Sequence, residues 1–64
     1  MDADDLDRLE LIINGAMEYE SELTDWERGF IQDTAERLEK YGDRTRVSEK
    51  QWGVLNRIYG KLPL

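Results

Sequence analysis

The chain has 64 residues, 15 Asp and Glu against 9 Lys and Arg, and a formal net charge of −6. It contains no Cys and no His, which excludes disulfides, thiol and imidazole chemistry and nearly every zinc site. No apolar run approaches the roughly 20 residues of a membrane span, and the N-terminus lacks the basic and apolar regions of a signal peptide.

The charge is unevenly distributed. Residues 1–27 hold ten acids against one base, a net of −9, and residues 28–64 hold eight bases against five acids, a net of +3. An acidic surface repels nucleic acid and attracts basic protein surfaces, including those that hold DNA or RNA. A chain this short buries only about 60% of its unfolded surface, so a single domain over residues 1–64 is expected, one that gains stability from a partner or from self-association.

The first predicted helix covers residues 4–20. Asp4 or Asp5 can cap it, and acids in its first turn suit the positive end of the helix dipole. Leu6, Leu9, Ile12, Ile13, Ala16 and Met17 form one apolar stripe with Tyr19 at its edge. Leu11 falls on the opposite side among acids, either as a lone exposed leucine or as a partner contact. Asn14-Gly15 is a turn signal. The stripe nevertheless resumes in register at Ala16 and Met17, so one continuous helix with a soft middle is expected. Asp2, Asp4, Asp5 and Asp7 lack the turn glycine and distal glutamate of an EF-hand, so no metal site is expected there.

Glu18, Glu20, Glu22, Asp25 and Glu27 cluster around the first connection. Dipole compensation and solubility are one reading of them. The other is a phosphate-like array of charges that engages a basic groove.

Leu23–Leu62 is the stretch around which the chain is organised, as two helices with matching start signals. Thr24, Asp25, Trp26, Glu27 is T-x-x-E and Ser48, Glu49, Lys50, Gln51 is S-x-x-Q, both capping boxes. Val47 and Trp52 have the spacing of a hydrophobic staple, whereas the equivalent of Trp52 behind Leu23 is the charged Arg28. Gly42 is placed as a left-handed stop, Asp43 to Arg46 form the turn, and Pro63 ends the last helix. At 100° per residue, Trp26, Phe30, Ile31, Thr34, Leu38 and Tyr41 share a face, as do Trp52, Val54, Leu55, Ile58, Tyr59 and Leu62. The aromatic residues on these faces read as core, not as a platform for stacking bases. A connection this short predicts an antiparallel helical hairpin over 24–62.

Three smaller features remain. Arg44 and Arg46 are cations near a helix C-terminus, where they offset the dipole or pair with the acidic first helix; phosphate contact, with Lys50, is the alternative. Gly53, Asn56 and Gly60 lie opposite the apolar stripe of the last helix. Mid-helix glycine costs about 1 kcal/mol relative to alanine, so these positions point either to a close backbone approach or to drift. Gly29, beside Trp26, is a candidate for a tight helix crossing.

At the LTDWE and SEKQW segments the chain resembles a recurrent small helical element of bacteriophage proteins. That pattern is L-[ST]-x-W-E-x-x-F, a charged helix, then [LV]-S-x-K-Q and a helix ending in I-Y-x-K-L. It is met at Leu23, Thr24, Trp26, Glu27, Phe30, Val47, Ser48, Lys50, Gln51, Ile58, Tyr59, Lys61 and Leu62. The matching region is about two-thirds of the chain. The motifs are cap and core residues, specific for a helical hairpin, and carry no catalytic residue. The resemblance implies a phage origin, alone or attached to replication and recombination proteins. Gly53 and Gly60 depart from its commoner charged or aliphatic choices.

The expectation is therefore an all-α, small three-helix antiparallel bundle with helices over 4–20, 25–41 and 49–61. It is expected to be no enzyme, to need no cofactor or metal, and to work in the cytoplasm of a bacterial host. Its expected action is to bind a protein with a basic surface and so inhibit or modulate a host nucleic-acid-handling complex, as anti-CRISPR and host-takeover proteins do. The alternative is an accessory or assembly module of phage replication or recombination proteins, as a homodimer in one form. Direct nucleic-acid binding ranks below both. The expected partner-binding residues are Asp4, Asp7, Glu10, Leu11, Glu18, Glu20, Glu22, Asp25, Gly53, Asn56 and Gly60.

Overall fold

The computed structural model describes residues 1–64 and is a three-helix bundle without strands. Helix α1 spans Ala3–Glu18, α2 Asp25–Tyr41 and α3 Glu49–Lys61, with 3-10 turns at Glu20–Glu22 and Gly42–Arg44. Asp2, not Asp4 or Asp5, caps α1, its carboxylate accepting from the Asp5 N–H at 2.8 Å; Asp4 and Asp5 then occupy the first turn. The helix runs through Asn14-Gly15 without a break and ends at Glu18, two residues short of the expected boundary. Both capping boxes are present at Thr24/Glu27 and Ser48/Gln51. Gly42 stops α2 with φ +56° and ψ −127°, a region that only glycine enters without strain.

The core is built around α1, not around the α2–α3 hairpin. Leu9, Ile12, Leu55 and Ile58 are fully buried, and Ile13, Ala16, Leu23, Ile31 and Leu62 complete the cluster. Close backbone approaches join α1 to α2 and α1 to α3, while α2 and α3 meet mainly through side chains. The cause is the small pair Gly15-Ala16. A Cβ on Gly15 would lie 3.1 Å from Leu62 Cδ1 and 3.9 Å from Tyr59 Cε1, so the end of α3 seats directly on α1. The soft spot in the sequence is thus where Tyr59 and the residues just past α3 pack on α1. Gly29, Gly53 and Gly60 have nothing within 4 Å of such a Cβ, which removes a close approach within the chain as their explanation.

Helix α2 is turned relative to its predicted face. Ile31 and Glu27 are buried, Ala35 and Leu38 are half-buried, and Trp26 is 64% exposed. The capping box causes this: Glu27 folds back to the Thr24 N–H at 2.8 Å and also meets Lys61 Nζ at 2.5 Å. With Glu27 facing α3, the preceding Trp26 is carried outward and rests on Phe30, ring centroids 5.5 Å apart. Met17 and Tyr41, also expected in the core, are exposed because each sits at the edge of its helix stripe. No helix is long and apolar enough to cross a membrane.

Candidate protein-binding surface

The helical repeat places Asp4, Asp7, Glu10, Leu11 and Glu18 on one side of α1, away from the buried Leu9, Ile12 and Ala16. All five are exposed, Leu11 by 53%. The ion pairs within the chain are Arg28–Asp25 and Lys61–Glu27, so the four carboxylates around Leu11 have no cationic partner. Arg8, the one base of the first 27 residues, is directed elsewhere: its Nη2 donates to Asn56 Oδ1 at 2.6 Å. The result is an uncompensated acidic helix face with an aliphatic side chain among its carboxylates.

The connection to α2 adds further acids. Glu20 and Glu22 are exposed and unpaired in the 3-10 turn. Arg28 holds that turn in place by donating to the backbone oxygens of Glu20 and Leu23 at 3.4 and 3.3 Å and by pairing with Asp25. The five acids grouped by sequence therefore divide by role. Glu18, Glu20 and Glu22 are free, Asp25 is paired, and Glu27 is structural. The Lys61 ammonium, and next the Thr24 N–H, hold the Glu27 carboxyl below the usual glutamate value, although burial opposes them. A carboxylate in that state is a fixed anion, not a proton carrier.

The remaining expected contacts lie on α3. Gly53 and Gly60 are exposed and form a smooth strip, with Asn56 beside them tied to Arg8 and so bridging α3 to α1. Sequence reasoning missed Trp26. It lines a shallow surface depression with Asp25, Gly29, Phe30 and Asp33, where a large indole lies next to two carboxylates. The signal was available in the capping box, since a Glu27 committed to Thr24 turns its neighbour outward. No group of three His, Cys, Asp or Glu side chains is placed to hold a metal ion. What the surface offers is charge, apolar anchors and a rigid helical scaffold.

Comparison with family models, curated proteins and solved structures finds no match to this chain.

Proposed function

We propose that this protein acts by binding another protein through the acidic face of α1 and the acids Glu20 and Glu22 that follow it. The observation that carries this reading is the absence of any cation paired with that face, in a chain whose nearest arginine is engaged with Asn56. Unpaired carboxylates on a rigid helix steer a basic surface toward them and compete with the phosphates it would otherwise hold. Leu11 supplies an apolar anchor of the kind that carries binding energy within a charged surround. The fitting target is a nucleic-acid-handling complex with a basic groove, which the protein would inhibit or modulate without catalysis. A phage-type protein acting in a bacterial cytoplasm, in the manner of anti-CRISPR or host-takeover proteins, is the setting that suits it.

The test is affinity capture of bacterial nucleic-acid-handling complexes at low and moderate salt, with duplex DNA as competitor. Capture should weaken with salt, yield to DNA, and vanish in the variant Glu18→Lys, Glu20→Lys, Glu22→Lys while circular dichroism stays helical. Unchanged capture by that variant refutes the electrostatic reading. A second reading rests on the open strip at Gly53 and Gly60: an assembly module that docks on a phage replication or recombination protein or on its own copy. It requires salt-resistant association that Gly53→Arg destroys.

A further inference from the structure

A second charged surface, opposite in sign, lies at the other end of α2. Arg37 on α2 and Arg44 and Arg46 in the following turn line one open depression of about 400 Å³ together with Tyr41 and Thr45. No carboxylate is among these residues, although Arg37 and Tyr41 also border a second depression lined by Asp33, Glu36 and Lys40. The guanidiniums that donate hydrogen bonds within the chain are those of Arg8 and Arg28, and neither ion pair includes the three arginines. In a chain with 15 acids, three arginines around one depression stay unpaired.

The two ordinary explanations for such arginines do not cover this cluster. Pairing with the acidic α1 does not occur. Compensation of the α2 dipole is supplied by Lys40, the basic residue of its last turn, whereas Arg44 and Arg46 lie beyond the helix. The backbone that carries the cluster is also fastened. Thr45, 3% exposed, donates through Oγ1 to the Arg37 carbonyl at 3.3 Å, and its N–H donates to the Gly42 carbonyl at 3.1 Å. The turn carrying Arg44 and Arg46 is thereby fastened to the helical turn carrying Arg37. Like charges gathered by the fold repel one another, and a bound anion relieves that repulsion.

Planar guanidiniums match a phosphate in bidentate fashion. The half-exposed Tyr41 ring lines the same depression; Lys40 Nζ lies over the ring, 5.3 Å from its centroid, so a planar base stacked on Tyr41 takes the ring surface that this ammonium leaves open. A long polyanion is disfavoured, because beyond the depression it would meet a protein of net charge −6. We propose that this depression binds a compact phosphate monoester, specifically a 5′-mononucleotide, with Arg37, Arg44 and Arg46 on the phosphate and Tyr41 against the base. The site is independent of the acidic face.

The experiment is a titration of ¹⁵N-labelled protein with inorganic phosphate, AMP and adenosine, each at matched ionic strength in sodium chloride. Phosphate and AMP should saturably shift the amides of Arg37, Tyr41, Arg44, Thr45 and Arg46, and adenosine should not. AMP should bind several-fold tighter than phosphate, and Tyr41→Ala should erase that advantage. Arg44→Glu with Arg46→Glu should weaken AMP by at least about tenfold, some 1.4 kcal/mol, with unchanged helical circular dichroism; Arg44→Gln alone should give a smaller loss. Shifts no larger than those of the salt control overturn the site, as does AMP binding that survives the double variant. AMP no tighter than phosphate, or weaker than an oligonucleotide lacking a terminal phosphate, overturns the mononucleotide assignment.

Discussion

The Glu27–Lys61 contact joins the start of α2 to the end of α3, and its removal should be felt across the bundle. Glu27 does two things: it completes the capping box at Thr24 and pairs with Lys61. Glu27→Gln separates them, because glutamine serves equally at that cap position but carries no charge. Lys61→Met removes the ammonium and keeps an apolar stem. A buried pair broken on one side costs about 3–5 kcal/mol, but the Lys61 side chain is 38% exposed against 11% for Glu27, so solvent screens the pair. We expect about 1 kcal/mol for each single change and about 1 kcal/mol of coupling in the double-mutant cycle. A 64-residue chain holds only roughly 3–10 kcal/mol in total, so each single change should lower Tm by about 4–8 °C. The pH dependence carries the same signature. Because Lys61 and the Thr24 N–H depress the folded-state pKa of Glu27, the unfolded chain takes up the proton first as pH falls. The stabilisation is complete above the ordinary glutamate pKa of about 4.3 and is lost as pH drops through the lower folded value. Urea unfolding followed by circular dichroism, at neutral and acidic pH, measures both quantities. Coupling below about 0.3 kcal/mol, the usual additivity error, together with identical acid limbs for wild type and Glu27→Gln would refute this account.

The glycines give opposed outcomes from one kind of substitution. Gly15→Val should cost about 1–3 kcal/mol by overpacking against Leu62 and Tyr59, whereas Gly53→Ala, which meets nothing, should stabilise by about 0.5–1 kcal/mol. Urea midpoints decide both, and equal signs at the two positions would contradict the close packing described for Gly15.

The helices, their order and two of their three caps were legible because each rests on local signals: apolar periodicity, T-x-x-E, S-x-x-Q and the Gly42 stop. What could not be read was which helices pack most closely. A short turn keeps consecutive helices near each other, but Gly15 leaves room for the Leu62 and Tyr59 side chains to pack on α1. The turned face of α2 has a similar origin. Periodicity weighs Trp26 as apolar and Glu27 as charged; the local capping box at Thr24 already reverses their burial, and only the partner Lys61, far along the sequence, could not be read. At the candidate surface, exposure of Asp4, Asp7, Glu10, Leu11 and Glu18 followed from helix phase alone. That Asp25 and Asn56 are already engaged within the chain depended on Arg28 and Arg8, whose side-chain directions only the folded structure supplies. Helix phase also put Gly53 and Gly60 outside. It could not show whether a neighbour covered them.

Whether the acidic face of α1 exists for a partner or only for solubility can be asked of the isolated protein. Asp7 stands three residues after Asp4 and three before Glu10 on one exposed side, and like charges at that spacing destabilise a helix by about 0.2–0.5 kcal/mol per pair. Asp7 lies beyond the first two turn residues that gain most from the helix dipole, so little offsets this repulsion. Asp7→Asn removes both pairs and should stabilise by about 0.5–1 kcal/mol, a rise of a few degrees in Tm. Added salt should raise the Tm of wild type more than that of the variant. Solubility needs net charge but not charge at these spacings. If the face serves a partner, the same Asp7→Asn change should weaken capture of a basic protein. Stability gained with capture intact would assign the face to solubility, and stability lost would show that Asp7 makes a favourable contact and that the face carries no electrostatic strain.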